Sequence, residues 1–348
     1  MRINSIQYNP RLTFKSYFRT TEQTLGNNRT NQCIHESHLM RDLDSSVFAT
    51  DYILRHFPQG ANITVEGCSQ MEAYTWAALF HDANPDKRFK ITGYDIVSEV
   101  IEDAKLGVLD IDSLQQNEFF LDPELKLPLG FLSAEQQRAR NLFNKCFERI
   151  PEKWKTFCVK PLDLIDKPKE EITLKIKRIE YLKQRYMDSY ILGKYFIPRH
   201  GVFDGVLDFS VGDIYDIDSQ LKPKSTALIS FKNVLYHLLG SRGKEGLFGW
   251  INTTTVQQLF KKLNTVLTED GLFVLGTICQ DHLFDPEKTP NDFSEIVHKG
   301  KIIKVALPSP IHKLLNESGF EPVFYDKVPG IDSDILMPSV WRKVRSLV

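Results

Sequence analysis

The chain has 348 residues, of which 42% are hydrophobic and 26% charged, and this composition supports a globular core and excludes wholesale disorder. Its 44 basic and 45 acidic residues leave a formal net charge of -1, so no global charge directs it to nucleic acid or to an anionic membrane. The five cysteines form no CxxC motif, the N-terminus lacks an apolar signal segment, and no apolar run is long enough to span a membrane. We therefore expect a cytoplasmic protein without a disulfide framework or a zinc site.

Residues 1–60 are predicted to form an N-terminal helical segment. Apolar residues recur at helical spacing in 36–57, and Pro58-Gln59-Gly60 then breaks the chain. Aromatic and basic residues interleave between 14 and 19. This pattern indicates either an amphipathic element that packs on the main domain or one that brings Arg19 into a site.

The stretch from 63 to 95 has the organisation of a nucleotide-binding unit. A β-branched strand (63–65) stops at Gly67-Cys68-Ser69, a helix-forming segment follows, and a second strand (89–94) ends on Asp95. An acid at this strand tip is placed to accept hydrogen bonds from ribose hydroxyls. Glu72 lies in the first turn of the predicted helix, where it either complements the helix dipole or binds a ligand.

The next part of the chain predicts one more helix and then loses its alternating pattern. Ser98 is predicted as an N-cap and Gly107 as the C-terminal stop of a helix. Residues 110–200 hold a predicted helix (133–150) and a charged stretch that we interpret as a solvated amphipathic element rather than a nucleic-acid-binding face. We interpret this region as an insertion or cap on the α/β core.

Strands and helices alternate again in the second half of the chain. Apolar strands are predicted at 205–209, 226–231, 272–276, 301–306 and 321–326, with helices at 255–267 and 311–318. The pattern predicts one doubly wound α/β domain over residues 61–348, with its ligand at the carboxyl ends of the strands.

Six segments, in order, carry a family resemblance: SYFRTTE (16–22), GCSQMEAYTWA (67–77), YDIVSEVIEDAKLGVLDIDSL (94–114), VGDIYD (211–216), FKNVLYHL (231–238) and LTEDGLFVLGT (267–277). Together they resemble the motifs of CheR-type chemotaxis receptor methyltransferases. The resemblance implies a Rossmann-like methyltransferase fold and the use of S-adenosyl-L-methionine, with S-adenosyl-L-homocysteine as product. It also implies an acceptor of the methyl group, either a protein or a small molecule.

The resemblance also implies roles for individual residues. The cofactor site would contain Gly67, Cys68, Ser69, Glu72, Asp95, Ile96, Gly212, Asp213, Ile214, Lys232 and Asn233. Within it, Glu72 would meet the methionine amino group, Asp95 the ribose hydroxyls, and the 212–214 segment the adenine.

Three residues are implied in catalysis. Lys232 would lie beside the methyl group, and Arg19 would reach the cofactor or orient the acceptor. His237 is either a base for a hydroxyl or amine acceptor or a packing histidine.

Departures from the family pattern leave alternatives open. The first loop is one residue shorter, Met71 replaces a glycine, Lys232 replaces an arginine, and 110–200 does not match the family's receptor-docking β-subdomain. A degenerate CheR-like binding or scaffold protein is therefore the second hypothesis. A third, an NAD-linked oxidoreductase, fits the strand-turn-helix-acid unit but lacks GxGxxG.

Overall fold

The computed structural model shows an α/β core with helices on both faces of a large sheet. It describes residues 43–68, 71–86, 88–111, 134–149, 194–232, 234, 253–276, 293–298, 301–306, 309–327 and 335–344. The α-helices of this part are α1 (Leu43–His56), α2 (Glu72–Ala83), α3 (Ser98–Leu106), α4 (Ala134–Cys146), α5 (Ile217–Gln220), α6 (Thr253–Val266) and α7 (Ser309–Glu317).

The strands form one large and one small sheet. They are β1 (Asn62–Glu66), β2 (Lys90–Asp95), β3 (Leu109–Ile111), β4 (Phe147–Arg149), β5 (Lys194–Pro198), β6 (Leu207–Val211), β7 (Thr226–Ser230), β8 (Leu267–Val274), β9 (Phe293–His298), β10 (Lys301–Ala306), β11 (Phe320–Lys327) and β12 (Ile335–Lys343). The large sheet has the order β6-β2-β1-β7-β8-β12-β10-β9, and β11 also pairs with β12.

Strand direction identifies the fold class. β6, β2, β1, β7 and β8 pair in parallel, whereas β12 runs antiparallel to both β8 and β11. β11 is therefore parallel to the first five strands. Apart from β10 and β9, which continue the sheet beyond β12, this is the Rossmann order of six parallel strands with one antiparallel strand between the fifth and the sixth. The predicted doubly wound Rossmann-like α/β fold is confirmed.

Two apolar cores lie on opposite faces of this sheet, because strands buried on both faces alternate their side chains between two layers. In β1, Ile63 and Val65 belong to the core that includes α1 and α2. In β7, Ile229 belongs to the second core, with residues of α5, α6 and α7. Helix α2 is buried over most of its length, from Ala73 to Phe80, which places it at the centre of the first layer.

The described part of the predicted insertion packs against α2. Helix α4 and a three-stranded antiparallel sheet, ordered β3-β5-β4, belong to it. The ring of Phe147 lies 6.2 Å from that of Tyr74 and 5.6 Å from that of Phe203, measured between centroids. These contacts fix the small sheet to the first core.

Several sequence predictions need correction. The helix predicted over 133–150 ends at Cys146, because Phe147 turns into the ring cluster and pairs with Pro198 of β5. Ser98 is the first residue of α3 rather than its N-cap, which is Val97. Gly107 does end α3, with φ 64°. Strand β12 was not predicted, since Pro338 interrupts its pattern.

Candidate functional site

The strand order defines a topological switch point at the carboxyl ends of the parallel strands. The chain passes from β1 to β2 on one side and returns to β7 on the other, so the connections diverge at β1. Ligands of doubly wound sheets bind outside the carboxyl ends of the strands at this switch point. Here β6, β2, β1 and β7 end in Val211, Asp95, Glu66 and Ser230.

A left-handed glycine connects β1 to the segment before α2. Gly67 has φ 58°, and the backbone N–H of Cys68 donates to the carbonyl of Tyr94 at 2.9 Å. A Cβ on Gly67 would lie 2.5 Å from Cγ2 of Val234. The turn therefore requires glycine both for its backbone conformation and for the close approach of the segment after β7. Cys68 is fully buried, and burial raises the pKa of its thiol well above the usual value.

Gly67→Ala should destabilise the protein by about 2–4 kcal/mol, since a left-handed L-residue and an overpacked contact each cost about 1–2 kcal/mol. The matched control is Gly205→Ala, because Gly205 has φ 69° and a Cβ added to it would meet nothing within 4 Å. Urea unfolding should show the smaller, backbone-only loss for Gly205→Ala. Equal losses for the two variants would contradict the close contact with Val234.

Asp95 forms the corner between β2 and α3. Its Oδ1 accepts a hydrogen bond from the N–H of Val97 at 3.0 Å, and its carbonyl accepts one from the N–H of Gly212 at 2.9 Å. Asp95 and Ile96 are both partly buried at the carboxyl edge. The pairing of β2 with β6 therefore brings Asp95 and Ile96 close to Gly212, another predicted cofactor-site residue.

The segment after β6 is fixed by its own polar contacts. The N–H of Tyr215 donates to Oδ1 of Asp213 at 3.0 Å, and Nε2 of Gln220 donates to the carbonyl of Asp213 at 2.6 Å. A Cβ on Gly212 would lie 2.8 Å from the ring of Tyr94. Ile214 is buried. Gly212, Asp213 and Ile214 thus lie beside the end of β2, as expected for one wall of a site.

Glu66 is a further candidate site residue, which the sequence prediction did not include. It ends β1 with 2% of its surface exposed, and among the described residues its Oε1 has no hydrogen-bond partner. Burial, followed by the carboxylates of Asp95 and Asp213, raises its pKa to about 8. The sequence signal that could have identified Glu66 is its place at the end of β1. It follows the buried residues 63–65, and an apolar residue is the norm at such a position.

Two of the predicted site residues, Lys232 and Glu72, contact one another in a buried polar cluster. Nζ of Lys232 lies 3.7 Å from Oε1 of Glu72, with side-chain exposures of 1% and 12%. Nε1 of Trp76 donates to the same Oε1 at 3.0 Å, and Nζ of Lys232 lies 5.6 Å from the centroid of a Trp76 ring. Lys232 also donates to Oγ of Ser46 in α1. This cluster joins α1, α2 and the end of β7.

The remaining predicted site residues, Arg19, Ser69, Asn233 and His237, lie outside the described residues. Within the described ranges, no group of three or more His, Cys, Asp or Glu side chains could hold a metal ion. None of the helices described is long and apolar enough to cross a membrane.

Comparisons with known proteins give only distant similarities. No family model matches the chain, and no curated protein matches it. A SAM-dependent methyltransferase of Methanosarcina mazei is 12% identical, with 84% of this chain and 96% of that chain covered and a TM-score of 0.37. Magnesium protoporphyrin IX methyltransferase of Synechocystis PCC 6803, solved with bound SAM, is 11% identical, with 97% and 100% covered and a TM-score of 0.39.

A putative O-methyltransferase of Nostoc punctiforme PCC 73102 is 12% identical, with 87% of this chain and 57% of that chain covered and a TM-score of 0.37. TM-scores this low establish no relationship. The strand order and the residues at the sheet edge are therefore the basis for a functional proposal.

Proposed function

We propose that this chain is an S-adenosylmethionine-dependent methyltransferase of CheR-like type. It would transfer a methyl group to a carboxylate or another nucleophile of a protein or small-molecule acceptor. The observation that carries the proposal is the juxtaposition of Glu66, Asp95 and Asp213 at the ends of three adjacent parallel strands, around the Gly67 turn. This is the switch point at which a nucleoside-containing ligand is expected.

The Gly67 turn argues against a dinucleotide-dependent oxidoreductase. A dinucleotide site uses the three glycines of a GxGxxG motif, and the segment Gly67-Cys68-Ser69 after β1 lacks that motif. The resemblance of this segment to the CheR-type motif favours S-adenosylmethionine as the ligand.

The residues at the edge fit the parts of S-adenosylmethionine. Asp95, at the tip of β2, would accept hydrogen bonds from the ribose diol. Val211 pairs with Asp95 and is 56% exposed, so it offers an apolar surface that an adenine ring would cover. Gly67 permits close approach of the backbone, and the buried carboxyl of Glu66 lies on the same edge for the cationic end of the ligand.

Chemically, the bound sulfonium would supply a methyl group that is already activated. A carboxylate acceptor, with a pKa of about 4.3, is already ionised at neutral pH and needs no general base. The protein must therefore align the acceptor oxygen, and Arg19 is proposed to hold the acceptor carboxylate through two hydrogen bonds. His237 is proposed as a base only if the acceptor is a hydroxyl or an amine.

One observation favours the second candidate, a CheR-like binding protein without methyl transfer. Lys232 and Glu72, both implied in the cofactor pocket, contact each other and Trp76. The two functions differ in cofactor binding and in turnover. A methyltransferase should bind S-adenosylmethionine and form S-adenosylhomocysteine in the presence of its acceptor, whereas the degenerate binding protein should not be stabilised by the cofactor.

S-adenosylmethionine should stabilise the folded protein, whereas NAD should not. Ligand at about 100 times its Kd adds about 2.7 kcal/mol to the free energy of unfolding. Thermal unfolding of the same sample with S-adenosylmethionine, S-adenosylhomocysteine and NAD measures this directly. A shift with NAD alone would replace the methyltransferase proposal by the oxidoreductase.

A further inference from the structure

Glu66 is an unusual residue to find at the centre of a nucleotide-type site. It ends the central strand β1 and pairs in register with Tyr94 of β2. Its exposure is 2%, and its Oε1 finds no hydrogen-bond partner among the residues described. A buried polar atom left unpaired costs about 1–3 kcal/mol, so native proteins seldom retain one without a compensating role.

The charged groups that act on Glu66, among the residues described, are acidic. Burial is the largest cause of its raised pKa. The carboxylates of Asp95, on β2, and Asp213, after β6, raise the pKa further. The other titratable groups that face it are the phenol of Tyr94 and the thiol of Cys68. Burial raises the pKa of both groups, so both stay neutral near pH 7.

The carboxyl groups around Glu66 suit a positively charged ligand group. Among the described residues, no group of three or more carboxylate, imidazole or thiol side chains could hold a metal ion. A buried carboxyl group with two acidic neighbours is suited to a cationic group on an organic ligand. The oxygen without a partner also gives such a group a hydrogen-bond acceptor.

We propose that Glu66 senses the charge of the ligand: it is protonated in the ligand-free site and ionises when a positively charged ligand group binds beside it. The proton of the Glu66 carboxyl passes to solvent, and the carboxylate forms an ion pair with the ligand cation. This inference rests on the proposed function, since S-adenosylmethionine carries both an ammonium and a sulfonium group. It makes Glu66 a determinant of specificity for charged over neutral adenosyl compounds.

Proton linkage sets the size and direction of the effect. Because the pKa of Glu66 in the folded protein is raised to about 8, the carboxyl is neutral below that pH and must lose its proton on binding. Affinity for the cation should therefore rise about tenfold per pH unit from about pH 6 to about pH 7. At about pH 7, close to one proton should be released per ligand bound.

Calorimetry in two buffers of different ionisation enthalpy counts the released protons. S-adenosylmethionine should release about one proton at about pH 7, and the neutral 5′-methylthioadenosine should release none. S-adenosylhomocysteine, which keeps the ammonium but lacks the sulfonium, identifies the partner: proton release assigns the ammonium, and no release assigns the sulfonium.

Glu66→Gln should abolish proton release and flatten the pH profile for S-adenosylmethionine. The matched control is Glu102→Gln, on the exposed surface of α3, which should behave as the native protein does. If Glu66→Gln does not fold, the number of protons that the native protein releases per ligand bound tests the inference by itself. Binding of S-adenosylmethionine without proton release, or with the same release in Glu66→Gln, would overturn the inference and leave the proposed function standing. Failure of all three ligands to bind would overturn both.

Discussion

Asp95→Ala should weaken the binding of S-adenosylmethionine by at least about 30-fold. The variant removes two proposed hydrogen bonds to ribose hydroxyls, each of which contributes about 1–3 kcal/mol when its loss leaves a buried group unpaired. Because Asp95 ends β2 at the switch point, no neighbouring acid on the same strand replaces it. Equilibrium dialysis with labelled cofactor measures the change.

Two further variants distinguish the loss of the ribose hydrogen bonds from a distortion of the connection between β2 and α3. Asp95 also accepts the hydrogen bond of the Val97 N–H, and Asp95→Asn retains an oxygen for that bond while it removes the charge. Asp204→Ala changes an exposed aspartate before β6 and should leave affinity unchanged. If Asp95→Ala binds the cofactor as tightly as the native protein, the ribose role is wrong.

Lys232→Met should destabilise the folded protein by about 3 kcal/mol. Removal of one partner of a buried ion pair costs about 3–5 kcal/mol, and the lower value applies because Glu72 keeps the hydrogen bond from Trp76. The variant also removes the hydrogen bond to Ser46 that links α1 to the end of β7. Urea unfolding of the ligand-free protein gives the free-energy difference.

Two controls test whether Lys232 acts through its ion pair. Adding Glu72→Gln to Lys232→Met should recover part of the lost stability, because no uncompensated carboxylate then remains at position 72. Lys145→Met removes an exposed lysine paired with Asp82 and should cost less than about 1 kcal/mol. Full stability of Lys232→Met together with lost methyl transfer would instead support the catalytic role that the family resemblance implies.

Local sequence signals were sufficient to predict the elements at the centre of the large sheet. Strand β1, the Gly67 turn, α2 and Asp95 follow one another within 34 residues, so their pattern is read without knowledge of distant contacts. Strand β12 escaped prediction because Pro338 lowers its apparent propensity, and it forms through pairing with β8 and β11. Strand β4 has three residues and depends on its pairing with β5, which lies far along the chain.

The sequence predicts a role for a candidate site residue only where a residue type at a strand end has one common use. Asp95 is such a residue, and its ribose-binding role stays a prediction. The contact between Lys232 and Glu72 joins residues 160 positions apart, and only the packing of α2 against the end of β7 creates it. Glu66 was overlooked because its importance lies in burial beside Asp95 and Asp213, a property of the folded sheet rather than of the ITVE segment.

Calorimetric titration of S-adenosylmethionine into the folded native protein tests the central claim most directly. We predict a saturable one-site heat, with binding weakened by Asp95→Ala and retained in Asp204→Ala. The sample must be shown to be folded by its cooperative unfolding. If millimolar ligand then gives no heat and does not change the stability of the protein, the claim that the carboxyl ends of these strands bind the cofactor is contradicted.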